Sequence, residues 1–186
     1  MASWATSKRE RTLWVLSLAV AVAIYATLGF ATALSEELTN RDLLDGVSAL
    51  AFLVLLGVVL TVGFKGRAPR LFDLAVLVGL GAVYALVFLR IASPIERSHL
   101  FEYTLLAILT HEALLERRRN GGTVIAPALQ AIGMTSAVGV LDEAIQLIIP
   151  SRVFDPVDIG FNVLAAFMGV TVSRTVEWVV RLRLAR

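Results

Sequence analysis

Three stretches of this chain hold residue types that could do chemistry. In Ser93-Pro94-Ile95-Glu96-Arg97-Ser98-His99-Leu100-Phe101-Glu102-Tyr103 an imidazole, two carboxyls, a guanidinium and a phenol follow one another closely. Asp142-Glu143-Ala144-Ile145-Gln146 sets two adjacent carboxyls beside an amide, inside an otherwise apolar run. Arg152, then Asp155-Pro156-Val157-Asp158 and Asn162, make the third group. His99 has the chemistry of a general base, with Glu102 or Glu143 to orient it. Arg152 could hold a phosphate or carboxylate bidentately, or tie the two acidic groups together as an ion-pair partner.

Local patterns place these groups on helices. Ser93-Pro94 with Glu96 three residues after the Ser reads as a helix start: the Ser caps, Pro takes the first turn, and Glu reaches back. Glu96 is therefore either a cap residue or a member of the site. In a helix begun there, His99, Glu102 and Tyr103 fall at i, i+3 and i+4 on one face. They lie roughly 8–14 Å below the cap at helical rise. Asp155-Pro156-Val157-Asp158 repeats the same logic, with Asp158 in the positive field of the helix start. Asn162 and Gly169 follow on a face of small and polar residues suited to close packing.

The elements that must carry these groups are membrane helices. Of 186 residues 58% are apolar and only 17% charged, and the mean hydropathy is +0.79. That is too little charge for a soluble surface. Apolar runs cover residues 13–33, 47–64, 71–91, 99–115, 124–149 and 157–176. Each approaches the roughly 20 residues a crossing needs. The expectation is an all-α, polytopic transmembrane bundle of about six spans in a single transmembrane domain over residues 1–186. A secreted enzyme, a disordered chain and an outer-membrane barrel are excluded. The chain has no Cys, so thiolate catalysis and Cys-based metal sites are excluded too.

Thirteen of the 17 basic residues lie in segments 8–11, 65–70, 117–119 and 174–186. With six spans these segments share one side, and the positive-inside rule makes it the cytoplasmic one, so both termini are cytoplasmic. Residues 31–33, Ala-Thr-Ala, resemble a signal-peptide cleavage site, but the apolar run before them is long for one, and the first helix reads as uncleaved. The acidic stretch with Glu36, Glu37, Asp42 and Asp45 reads as a solvated loop. All three polar groups then fall at the outer ends of their helices, where intramembrane ionisable residues are functional by default or form a structural network. His111-Glu112-Ala113-Leu114-Leu115 begins like a zinc-protease motif, but Leu115 stands where the second His belongs. Arg117-Arg118-Arg119-Asn120-Gly121-Gly122 reads as a basic turn beside anionic lipid.

At Glu96-Arg97-Ser98-His99-Leu100-Phe101-Glu102-Tyr103, Asp142-Glu143-Ala144-Ile145-Gln146, and Arg152 with Asp158, Asn162 and Gly169, the chain resembles the VanZ-like family of bacterial membrane proteins. The resemblance covers roughly residues 70–172, leaving two extra N-terminal helices over residues 1–69. It implies a multi-pass protein of the bacterial cytoplasmic membrane with an outward polar pocket. It also implies a link to resistance against teicoplanin, a glycopeptide that acts on lipid-linked cell-wall precursor, without naming a reaction.

Two functions are expected from this. The first is an envelope-associated accessory or binding protein, with Glu96, Arg97, Tyr103, Asp142, Gln146, Arg152, Asp158 and Asn162 as binding residues. Its partners would be membrane lipids and a lipid-linked precursor or glycopeptide antibiotic, not nucleic acid. The alternative is an intramembrane enzyme acting on a lipid-linked head group, with His99, Glu102 and Glu143 as catalytic residues. No cofactor and no resident metal are expected, although Asp142, Glu143 and Asp158 are oxygen donors of the kind a divalent ion takes.

Overall fold

The computed structural model describes residues 5–64, 68–91, 94–149 and 154–185, with the backbone alone at 31, 32, 63 and 94–96. Among the described residues there are seven α-helices and no strand. These are α1 (Lys8–Thr27), α2 (Ala31–Asn40), α3 (Leu44–Val58), α4 (Leu71–Arg90), α5 (Pro94–Arg119), α6 (Pro127–Gln146) and α7 (Pro156–Leu184). A π-helical turn, Val59–Gly63, prolongs α3.

Helix boundaries follow local chemistry. Pro occupies the first turn of α5, α6 and α7, where its missing N–H costs nothing. Ser7 caps α1 by accepting from the Glu10 N–H at 3.0 Å, and Asp155 caps α7 by accepting from the Val157 N–H at 2.8 Å. Gly121, at φ +82°, closes α5. The following Gly122 N–H reaches the Arg117 carbonyl at 3.0 Å, as a left-handed glycine allows.

α5 is the axis of the bundle. It packs on α7, α1 and α6 and touches α2 and α3. Tyr103, Ala107 and Ala113 are fully buried along it. The α5–α7 crossing is close because Gly169 has no side chain: a Cβ there would lie 2.6 Å from the Thr104 carbonyl oxygen. α4 sits at the edge, with only Asp73 and Tyr84 buried. It is held by Tyr84 Oη with Thr104 Oγ1 at 3.1 Å and by Arg183 with Asp73 at 2.9 Å.

Contacts at the helix ends define direction. Arg9 meets Glu112 at 3.4 Å and the Val62 carbonyl at 2.7 Å, and Arg117 meets Glu10 at 2.6 Å. With the Arg183–Asp73 pair, these gather the starts of α1 and α4 and the ends of α3, α5 and α7 at one arginine-rich end. At the opposite end, His99 near the start of α5 lies 3.9 Å from Asp142 near the end of α6. The six longer helices thus alternate in direction.

Four of them are long and apolar enough to cross a membrane: α1, α3 with its extension to Val62, α4 and α7. Their outward faces are apolar, with Leu18, Leu53, Val78 and Leu89 more than half exposed. α5 and α6 do not reach that hydropathy among the described residues. α5 lies inside the bundle, and α6 lies at its side with Leu129, Val140 and Leu141 exposed and Asp142, Glu143 and Gln146 turned inward, so neighbouring helices rather than lipid meet these polar groups.

Two sequence expectations change. The run 13–33 is broken: α1 ends at Thr27, the Phe30 N–H turns back to the Thr27 carbonyl at 3.1 Å, and α2 starts anew. The acidic stretch expected as a loop is largely helical, since Glu36 and Glu37 lie in α2 and Asp45 in the first turn of α3. The break falls at Leu28-Gly29-Phe30, where Phe30, at φ −128° and ψ 2°, leaves the helical range before α2 begins.

Candidate functional site

At the end opposite the arginines, α5, α6 and α7 bring most of the expected residues into one closed polar cluster. Asp142 and Glu143 are fully buried, Gln146 is 1% exposed and His99 is 3% exposed. α6 aims Gln146 back along its own turn: its Nε2 donates to Glu143 Oε1 at 2.7 Å and reaches Asp142 Oδ2 at 3.5 Å. The other Glu143 oxygen accepts from the Asp155 N–H at 3.1 Å, so this carboxylate joins α6 to the start of α7.

From α5, His99 presents Nε2 to Asp142 and its ring to the edge of Tyr103, with centroids 5.8 Å apart. The Tyr103 hydroxyl, buried, faces Asp142 and Glu102 electrostatically without a well-formed hydrogen bond. Tyr25 of α1 closes this side by donating to the Val138 carbonyl at 3.0 Å. Asn162, fully buried, packs on Gly139 of α6, where a Cβ would stand 2.8 Å from its own. Asp158 is 9% exposed. Arg152 and the side chain of Glu96 lie outside the described residues.

Glu102 and Arg97 face elsewhere. Together with Ser98 and Phe101 they line a cavity of about 300 Å³ toward α2 and α3. Arg97 donates from Nε to the Ile91 carbonyl at 2.9 Å and stands 4.8 Å from the centre of the Phe88 ring. A second cavity of about 290 Å³ continues from this one between α3 and α5, with walls of Leu50, Val54, Leu55 and Leu105. Val47, Ala51, Phe101 and Glu102 belong to both. The result is one mainly apolar groove with Arg97, Ser98 and Glu102 at one end.

The arginine-rich end holds a network that the sequence reading passed over. His111 Nδ1 lies 2.8 Å from Ser173 Oγ, and Ser173 donates to Glu112 Oε1 at 2.9 Å. Arg9 joins Glu112 and Glu116. Glu10 is covered by its own segment, accepting from the Thr6 N–H and hydroxyl and from Trp14 Nε1, and by Arg117. A histidine and a glutamate side by side in an apolar run were the available signal.

Among the described residues, no group of three or more His, Asp or Glu is placed to hold a metal ion. Fold and composition together define the chain as an all-helical bundle with four helices fit to cross a membrane. No family model, curated protein or solved structure matches it.

Proposed function

We propose that this is a VanZ-like protein of the bacterial cytoplasmic membrane, crossing it six times with both ends in the cytoplasm. In this reading it is an envelope-associated accessory protein that binds an amphiphile from the outer leaflet. The observation that carries the reading is the groove shared by α3 and α5, polar at Arg97, Ser98 and Glu102 and apolar below them. That order of surfaces suits a chain-bearing molecule lying along the helices with its head at the polar end.

Arg97 has its terminal nitrogens left for a phosphate, because Nε is already spent on Ile91. Glu102 and the nearby Ser35 and Ser48 suit the hydroxyls and amides of a sugar or peptide head. A polyprenyl-phosphate-linked cell-wall precursor has this sequence of groups. An amphiphilic glycopeptide of the teicoplanin kind is the rival occupant. Catalysis by His99 would require the α5–α6–α7 junction to open, since its ring is 3% exposed.

The test is binding of a polyprenyl phosphate to the full chain in nanodiscs. Ala51 lines both parts of the groove, so Ala51→Phe is expected to abolish binding by filling the passage. Arg97→Ala is expected to weaken it roughly tenfold, the effect of one charge-assisted hydrogen bond. Unchanged binding by a folded Ala51→Phe protein overturns the reading. A glycopeptide that binds in the groove where the polyprenyl phosphate does not would replace the ligand.

A further inference from the structure

The arginine-rich end contains a separate cavity, of about 490 Å³, walled by the end of α5, the start of α6 and the last turns of α7. Its basic groups outnumber its acidic ones. Arg118, Arg174 and Arg181 line it against Glu177, and Glu177 is already bridged by Arg119 and Arg181, each at 2.8 Å. Neither Arg118 nor Arg174 makes a hydrogen bond or ion pair with any described residue. The cavity therefore holds two uncommitted guanidinium groups.

The first turn of α6 adds donors. Pro127 has no N–H and Ala126 offers no side-chain cap, so the amides of Ala128 and Leu129, which line the cavity, have no intrahelical acceptor. Such a turn favours an anion. A second, independent group points into the same space. His111 is 2% exposed and lines the cavity, while its Nδ1 is engaged by Ser173.

The protonation of this ring follows from its partners. Ser173 has one proton and gives it to Glu112 Oε1, so it must accept from His111 Nδ1–H. Neutral His111 is left with a bare Nε2, which accepts a hydrogen bond and makes none with a described residue. The mouth is apolar: Ile125 is 94% exposed, Leu129 71% and Trp178 54%. A free ion has no use for that rim, whereas acyl chains do, and Trp suits the interfacial level of a membrane.

We propose that this cavity binds the head group of an anionic phospholipid that carries hydroxyls. Arg118, Arg174 and the first amides of α6 hold its phosphodiester, and His111 Nε2 accepts from a head-group hydroxyl. The site lies at the opposite end of the molecule from the groove and does not depend on what the groove binds.

The experiment titrates the full chain in detergent micelles with dioleoyl-phosphatidylglycerol and reads bound lipid by native mass spectrometry. Phosphatidylglycerol is expected to bind better than dioleoyl-phosphatidylcholine, and better than dioleoyl-phosphatidylmethanol, which keeps the phosphodiester charge but has no hydroxyl. The double variant Arg118→Ala with Arg174→Ala is expected to bind phosphatidylglycerol about thirtyfold more weakly, the loss of two attractions between arginine and anionic lipid. Lys8→Ala with Arg11→Ala removes two exposed basic residues outside the cavity and is expected to bind as the parent chain does.

Equal binding by both variants, or equal loss in both, overturns the proposal, since the cavity would then be irrelevant or bulk charge sufficient. Displacement of the lipid by inorganic phosphate overturns the lipid assignment in favour of a free anion. Phosphatidylmethanol binding as well as phosphatidylglycerol overturns the hydroxyl assignment.

Discussion

Glu143 shows how a single carboxylate can hold two helices together. One oxygen accepts from Gln146 at 2.7 Å and the other from the Asp155 N–H at 3.1 Å, and the residue is fully buried. A glutamine in its place has one acceptor, so one of the two donors must face an amide N–H₂. Glu143→Gln is therefore expected to destabilise the protein by about 1–3 kcal/mol, the cost of stranding one buried polar group. Thermal unfolding in detergent measures it; an unchanged midpoint would mean that neither bond matters. Asp142, Glu143 and Gln146 were readable from sequence because one helix turn joins them. The place of Glu102 was not: spacing puts it on the same broad face as His99, but which neighbour each meets, α6 for His99 and α3 for Glu102, is decided by how the helices assemble. His111 and Glu112 were set aside for want of a second histidine. Their actual partner, Ser173, stands 62 positions from His111 on another helix, beyond anything spacing can reveal.

The elements owe their arrangement to small residues at crossings. Gly169 lets α7 lie against α5, and a Cβ there would meet the Thr104 carbonyl oxygen at 2.6 Å and Ala107 Cβ at 3.0 Å. The nearer contact is backbone, which cannot swing aside. Gly169→Ala is expected to cost about 1–3 kcal/mol through overpacking. Gly79 on the exposed face of α4 has nothing within 4 Å of its Cβ position. Gly79→Ala should instead stabilise by roughly 0.5–1 kcal/mol through the lost freedom of the unfolded chain. Unfolding midpoints that move in opposite directions for the pair would support this account, and a Gly169→Ala protein as stable as its parent would sink it. Starts marked by Pro94 and Pro156 were readable from sequence, because a proline at the first turn acts locally. Hydropathy was a weaker guide to α5, whose ionisable residues are carried in the centre of the bundle. Shielding by α1, α6 and α7 allows this, and shielding is a property of the assembled helices alone.

At the scale of the whole molecule, charge and direction agree. The arginine-rich end gathers the first turn of α1, the first turn of α4 and the last turns of α5 and α7 through cross-helix ion pairs. The sequence-based partition of basic residues puts these same segments on one side of a membrane. Two topologies are compatible with four strongly apolar helices. If only α1, α3, α4 and α7 cross, the turn between α5 and α6 stays on the side where α4 ends. If α5 and α6 cross as well, that turn lies with residue 8 and residue 185. Alternation of all six long helices within one bundle favours the second, because α5 runs parallel to the middle of α7, from Thr104 at Ala165 to Arg119 at Glu177. The chain lacks Cys, so single cysteines can decide. With a membrane-impermeant maleimide on intact cells, Glu36→Cys and Phe154→Cys are expected to label at once. Lys8→Cys, Thr123→Cys and Ala185→Cys are expected to label only after permeabilisation. All five positions are exposed, so failure to react reflects the side rather than burial. Thr123→Cys labelled from outside, with Lys8→Cys protected, would leave four crossings and would also separate the α5–α6 walls of the phospholipid site from its α7 wall.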